Sequence, residues 1–190
     1  MSISYFEGKT FEKIDFRFNP LPKGEYEDCI FSNCNFAELH LSTCIFSDCV
    51  FKDCNLSMAH TRGTSLKNVK FLDCKLLGVH FDQCNTFLFE VGFQNCQLNL
   101  STFLGLNLKK TSFKDTTLHE VDFSDADLST AIFDNCDLTR AVFSNTNLEK
   151  TDFRSSYNYS IDPERNKLKK ARFSLQGLGG LLDKYGIVIS

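Results

Sequence analysis

ADLSTAIFDNCDLTRAVFSNTNLEKTDF, residues 126–153, places leucine and phenylalanine alternately at every fifth position. The residue two places before each of them is small or β-branched, as at Ala126, Ala141 and Thr151. A helix repeats at about 3.6 residues and a strand at two, so neither buries this pattern on one face. A chain that turns a corner every five residues can bury this pattern, because the central residue and the residue two before it then point inward. We predict stacked coils, because one such coil is too thin to form a core alone.

The five-residue period extends back to Tyr26 and defines the predicted body of the fold, residues 26–153. The register slips by two residues near Thr86, after which the centres run without a lapse from Leu88 to Phe153. This strict register predicts no projecting loop apart from the slip itself. The predicted core centres include seven phenylalanines, which are Phe31, Phe51, Phe71, Phe93, Phe113, Phe133 and Phe153.

Two segments flank the repeats and lack their regularity. Residues 1–25 hold earlier echoes of the period and an interruption rich in proline and glycine, which predicts an imperfect first coil followed by a loop. Residues 154–190 leave the register and carry leucines close to helical spacing. We predict a short α-helical cap there, from near Gly179 to Gly186, because the glycines of this segment weaken a helix.

The apolar face of this cap predicts a homodimer. A short helix weakened by glycine should pack on the last coil, and its surplus apolar surface should meet a second copy head to head. Residues 187–189 are predicted to add a strand to this contact. The predicted dimer-interface residues are Leu175, Leu178, Leu181, Leu182, Tyr185, Ile187 and Ile189.

Three runs in the repeat body resemble the A(D/N)LXX motif of pentapeptide-repeat proteins, and they are 126–130, 136–140 and 146–150. The resemblance covers about residues 26–153. It implies an all-β solenoid, a right-handed quadrilateral parallel β-helix in which four pentapeptides, or twenty residues, make one turn. His40, His60 and His80 recur at that interval, as if stacked in one outer column.

The same pattern argues against catalysis. A coil this narrow has almost no interior space, and no nucleophile, base and orienting group can be assembled from the spacing. All nine cysteines lie at the repeat position two residues before a centre, where they fill the core as reduced thiols. The column of histidines could share a transition metal, but a ladder of stacked polar side chains is the favoured interpretation, because no outward carboxylate or thiol completes a metal site. We predict a protein without enzymatic activity, metal, cofactor or small-molecule substrate.

The expected location is the cytoplasm. Residues 1–11 lack the basic start and long apolar run of a secretion signal. No stretch approaches the ~20 apolar residues that a membrane-spanning helix requires. The sequence therefore predicts a protein without membrane contact.

The run LLDKYGI, Leu181–Ile187, resembles the terminal segment of Qnr-type quinolone-resistance proteins. That resemblance implies binding to DNA gyrase and topoisomerase IV as a DNA mimic, with effects on quinolone susceptibility and no contact with nucleic acid. Residues 113–153 carry nine acidic and three basic side chains, which fits such a mimic. The predicted partner-binding acidic face consists of Asp115, Glu120, Asp122, Asp125, Asp127, Asp134 and Asp137.

A generic scaffold or protein-interaction module for another partner is the alternative function. Outward aspartate and asparagine are what the repeat itself requires, so an acidic surface needs no partner to explain it. Residues 154–190 carry seven basic and three acidic side chains. They would put positive charge at the dimer centre, where a DNA mimic should be negative.

Overall fold

A computed structural model describes residues 4–188 as a solenoid of short parallel strands. Paired residues in neighbouring coils are twenty apart, as at Phe31 and Phe51, so one turn takes twenty residues. The strands in the described residues are β1 (Ser4–Glu7), β2 (Thr10–Glu12), β3 (Gly24–Glu27), β4 (Ile30–Ser32), β5 (Ile45–Ser47), β6 (Val50–Lys52), β7 (Ser65–Lys67), β8 (Val69–Leu72), β9 (Val91–Gln94), β10 (Ser112–Lys114) and β11 (Ile132–Asp134).

The strands form two parallel sheets. One sheet joins β1, β3, β5 and β7, and the other runs β2, β4, β6, β8, β9, β10 and β11. Isolated bridges continue the columns toward the C-terminus, for example from Asn107 to Asp127 and from Asn147 to Lys167. Outer side chains therefore line up in columns that hold one residue from each turn.

A stack of aromatic rings fills the core. Neighbouring ring centroids in this stack lie between 4.8 Å and 5.4 Å apart. Each of the seven phenylalanines singled out in the sequence belongs to the stack and is at most 2% exposed. The stack consists of Phe11, Phe31, Phe51, Phe71, Phe93, Phe113, Phe133, Phe153 and Phe173. Burial of a phenylalanine side chain contributes about 1.5–3 kcal/mol, so this column is a main source of stability.

The coil turns its corners through the left-handed backbone region. The residue two places after a centre has a positive φ, for example 54° at Asn33, 51° at Asn135 and 63° at Leu100. Asparagine, aspartate and glycine tolerate this conformation best, which is why many corners carry them. Corners with other side chains, such as Leu100 and Thr130, are held in an unfavourable conformation by the stacked coils.

The two-residue slip is absorbed between Leu88 and Val91. Leu88 takes the corner conformation, with φ 57°, twenty residues after the corner at Asn68. Val91 then pairs with Val69, twenty-two residues back, and starts the new register. The sequence predicts Leu88 as an inward centre, but its side chain is 63% exposed because corner residues point outward. Phe89 packs partly against the core instead.

The C-terminal cap consists of 3-10 turns and not of the predicted α-helix. Short 3-10 helices span Gln176–Leu181 and Asp183–Tyr185, and the second ends at Gly186, whose φ is 60°. Gly180 lies so close to the backbone and ring of Tyr159 that a Cβ atom would overlap them. This close contact with the last coil accounts for the tight, irregular backbone.

The N-terminal segment forms a coil in the same register as the body. β1 and β2 pair with β3 and β4, and the Phe6 ring stacks on Tyr26 with centroids 4.9 Å apart. The Tyr26 hydroxyl donates a hydrogen bond to the Pro22 carbonyl at 2.5 Å, which ties down the connecting loop. Within residues 4–188, no helix is long and apolar enough to cross a membrane.

Candidate interaction surfaces

The interior of the solenoid is filled by side chains. A void lined by Phe46, Leu56 and Phe71 measures about 10 Å³, at the lower limit for one water molecule. An open depression of about 830 Å³ lies outside the core, between the last coil and the cap, where Arg140 and Gln176 line it. Any binding function therefore has to use the outer surface.

The cysteines are free and buried, as expected for core residues. Burial raises the pKa of the Cys49, Cys84 and Cys136 thiols to about 12. A thiol with such a pKa is protonated at neutral pH and reacts poorly as a nucleophile. These three side chains fill space in the core.

The histidine column forms as the twenty-residue turn requires. The His40 and His60 rings stack with centroids 4.1 Å apart, and their backbones pair. His80 continues the column and lies 3.4 Å from a carboxylate oxygen of Asp82. No group of three potential metal ligands comes together within residues 4–188.

The acidic residues at 113–153 surround the coil and do not share one face. Asp122 pairs with Thr102, whereas Asp127 pairs with Asn107, so these two aspartates belong to different columns. Asp137 lies in a third column, opposite Thr117. Successive columns lie on successive sides of the turn, so the seven predicted residues form a belt.

Local contacts engage much of this belt. Asp127 lies 3.2 Å from Lys109, and Glu120 lies 2.8 Å from Arg140. Asp115 accepts a hydrogen bond from the Asn135 amide at 2.7 Å, and Asp134 accepts one from the Ser155 hydroxyl at 2.9 Å. Lys109 and Arg140 therefore offset part of the negative charge.

Asp137 is the most strongly perturbed carboxyl of the belt. Partial burial raises its pKa, but hydrogen bonds from Thr139 and Asn158, together with nearby His119, outweigh burial and lower the pKa to about 2. The imidazole Nε2 of His119 lies 2.9 Å from Asp137 Oδ2. The Asp137 carboxylate therefore links its own turn to the turns before and after it, through His119 and Asn158.

The predicted dimer-interface residues divide into two groups. Leu175, Leu178, Tyr185 and Ile187 are exposed on the cap, the first of them by 83%. The other described residues of the set, Leu181 and Leu182, are half-buried, and Leu181 packs against the core. Ile187 and Val188 are not in a strand, and Ile189 lies outside the described residues.

One side of the solenoid, here called face A, was missed by the sequence reasoning. It carries the sheet of β1, β3, β5 and β7 and the bridged columns that continue it. Its nine rows are residues 4–8, 24–28, 44–48, 64–68, 84–90, 106–110, 126–130, 146–150 and 166–170. Aligning the sequence in rows of twenty residues, with a shift of two residues after Leu88, would have predicted face A.

Charge is separated along face A. Rows one to three carry five carboxylates, which are those of Glu7, Glu25, Glu27, Asp28 and Asp48. Rows eight and nine carry four ammonium groups, which are those of Lys150, Lys167, Lys169 and Lys170, and one carboxylate, that of Glu149, so their net charge is positive. The middle row projects Phe87 and Leu88, which are 67% and 63% exposed. Face A is thus acidic at one end, apolar in the middle and basic at the other end.

Comparisons with known proteins agree with this architecture. A family model described as a pentapeptide repeat region matches residues 25–87 and 86–161. The chain is similar to a trypsin-treated form of QnrB1, a plasmid-mediated fluoroquinolone resistance protein, with 22% identity over 98% of this chain and 92% of that one and a TM-score of 0.51. It is also similar to HetL, a pentapeptide repeat protein involved in heterocyst differentiation regulation from the cyanobacterium Nostoc sp. strain PCC 7120, with 13% identity, coverages of 91% and 87% and a TM-score of 0.53. No curated protein matches. At these identities the two structures indicate a shared fold and no more.

Proposed function

Because the chain belongs to the pentapeptide-repeat family, we propose that it is a non-enzymatic scaffold whose outer columns bind other proteins. The observation that carries this proposal is the filled core, in which stacked rings such as Phe113 and Phe133, 4.8 Å apart, leave the outer surface for recognition. A rigid rod with columns of side chains at fixed spacing suits the binding of an extended partner surface. The proposal includes a right-handed, four-sided coil and a cytoplasmic location, where buried thiols stay reduced.

Affinity capture with surface variants tests the scaffold function. The bait proteins are the parent chain and variants with several charges reversed on one face at a time. We expect a bound protein that the parent captures and that a single variant loses, because recognition uses one face. If every variant captures the same proteins as the parent, the proposal is refuted.

Binding to DNA gyrase or topoisomerase IV as a DNA mimic is a second candidate function. It is favoured by the acidic belt of residues 113–153, since negative charge around a rod resembles duplex DNA more closely than charge on one face does. The ion pairs of Asp127 and Glu120 count against it, because they reduce the free negative charge.

A supercoiling assay with purified gyrase, with and without ciprofloxacin, tests this second candidate. A DNA mimic should inhibit supercoiling or relieve the drug, and the triple variant Asp122→Asn, Asp125→Asn and Asp134→Asn should weaken the effect. A matched control neutralises three carboxylates outside the belt, at Glu7, Glu25 and Glu38. The candidate fails if the parent has no effect at micromolar concentration, or if both triple variants behave alike.

We also propose that the exposed cap residues Leu175, Leu178, Tyr185 and Ile187 form a head-to-head contact between two copies. Their exposure supports this contact, because clustered apolar side chains on a surface favour association. At about 0.5 M NaCl, where contacts between charged surfaces are screened, the variant pair Leu175→Asp and Tyr185→Asp should halve the mass measured by light scattering. Leu181 is unsuitable for this test, because it packs against the core and its replacement would disturb the fold.

A further inference from the structure

We propose that face A is a self-association surface, on which a second copy docks antiparallel about a two-fold axis at Phe87 and Leu88. This contact is separate from the cap and does not depend on the scaffold or gyrase functions. The partner is identified by charge and symmetry, because a surface that is acidic at one end and basic at the other is complementary to itself when turned around.

The rows of face A are arranged symmetrically about the two-residue slip. The segment 84–90 is the fifth of nine rows, so four rows lie on either side of it. A two-fold axis through the fifth row brings the first row of one copy onto the ninth row of the other. It likewise brings the second row onto the eighth.

This superposition pairs opposite charges. Glu7 in the first row comes opposite Lys170 in the ninth, and Asp28 in the second row comes opposite Lys150 in the eighth. All four side chains are exposed, and none forms an ion pair within residues 4–188. Because two-fold symmetry repeats each contact, both ends of the interface gain from the same complementarity.

The centre of the interface carries two exposed apolar side chains, with the exposed carboxylate of Glu90 in the same row. Phe87 and Leu88 project from the row with the inserted residues, and on the axis each would meet its own copy. Exposed apolar side chains flanked by charges are typical of small interfaces with a dry centre and a polar rim. The corner conformation of Leu88, with φ 57°, fixes the direction of this projection.

The rows next to the centre are the least favourable part of the contact. Lys67 in the fourth row comes opposite Lys109 and Lys110 in the sixth, and Asp48 in the third row comes opposite the seventh row, which carries Asp127. The Lys109 ammonium already lies 3.2 Å from Asp127, which offsets its charge. The charge pairs at the outer rows therefore determine the orientation, and association should weaken as salt screens them.

The salt response separates this contact from the proposed cap contact. Association through Leu175 and Tyr185 would bury apolar groups and should not weaken as salt rises. Two different two-fold contacts on one chain would also build open arrays larger than a dimer. The experiments on face A are therefore carried out both in the parent and in the Leu175→Asp, Tyr185→Asp variant.

Sedimentation velocity at about 0.05 M and about 0.5 M NaCl tests the proposal. The acidic-end variant Glu7→Lys, Asp28→Lys and the basic-end variant Lys150→Glu, Lys170→Glu should each weaken self-association about tenfold or more at low salt. A mixture of the two variants should regain the parent's association, because each reversed end then meets its complement. The variant Glu12→Lys, Asp53→Lys, with the same charge change on another side, should associate as the parent does.

Replacement of the apolar centre provides a second test. Phe87→Ser should weaken association about tenfold, whereas Phe18→Ser, a change at another exposed phenylalanine, should not. Far-UV circular dichroism checks that all variants are folded. The proposal is overturned if the parent stays monomeric at millimolar concentration, if the mixed variants do not associate, or if a different protein rather than a second copy binds face A.

Discussion

The Phe71 and Phe93 rings stack with centroids 5.3 Å apart, although twenty-two residues separate them and neighbouring rings elsewhere in the body are twenty apart. The inserted residues therefore leave the core stack intact. They are accommodated between Leu88 and Val91, where Phe89 packs partly against the core and the Glu90 backbone forms hydrogen bonds with Leu66 and Val69.

The first prediction is that this insertion is dispensable for folding. A variant that lacks Phe89 and Glu90 and carries Thr86→Leu would have a regular pentapeptide in the fifth row. We expect one cooperative thermal transition, with a Tm within about 5 °C of the parent, because the leucine introduced at position 86 would take over the partial core packing of Phe89. Deletion of Ser129 and Thr130 is the matched control, and it should lower the Tm by more than about 10 °C, because it removes a corner from a paired coil. An equal decrease of the Tm in both deletion variants would contradict the assignment of Phe89 and Glu90 as the inserted residues.

A second prediction concerns the aromatic stack. Phe113 is fully buried, and its ring lies 5.3 Å from Phe93 and 4.8 Å from Phe133. Phe113→Ala should lower the free energy of unfolding by about 3–5 kcal/mol, because it leaves a cavity that rigid neighbouring coils cannot close. Phe87→Ala, at an exposed position, should change it by less than about 0.5 kcal/mol. Urea denaturation at low protein concentration measures both, and similar values would refute the assigned packing.

A third prediction uses backbone strain at a corner. Leu100 has φ 63° and is 62% exposed, so its side chain gains little from burial while its backbone is unfavourable. Leu100→Asn should raise the free energy of unfolding by about 0.5–1 kcal/mol, because asparagine tolerates the left-handed region. Leu104→Asn, a nearby exposed leucine without a positive φ, should give no gain. Stabilisation of both variants alike would point to surface polarity and not to backbone strain.

Much of this architecture could be predicted from the five-residue period. The period alone identifies buried centres such as Phe31 and Phe113, because inward positions are fixed by the corners. The period could not predict that the Leu88 side chain points outward. A change of register shows where residues are inserted, but it does not show which of them lie outside the regular coil. The 3-10 cap depends on the contact of Gly180 with Tyr159, two residues that no local pattern links. Face A depends on which rows stack, and this requires both the length of the turn and the position of the slip.

The last prediction concerns acid stability. The pKa of Asp137 is about 2, below the roughly 3.9 of an unfolded aspartate, because hydrogen bonds from Thr139 and Asn158 favour the charged form. Its stabilisation is therefore fully present above pH ~4 and is lost as the pH falls toward ~2. Asp137→Asn cannot titrate, so the parent should exceed it in stability at pH 7, and this difference should shrink as the pH is lowered through that range. Urea titrations at several pH values measure the difference, and Thr139→Val, which removes one donor, should move the parent's acid transition to higher pH. A difference that stays constant with pH would mean that Asp137 contributes no charge-dependent stability.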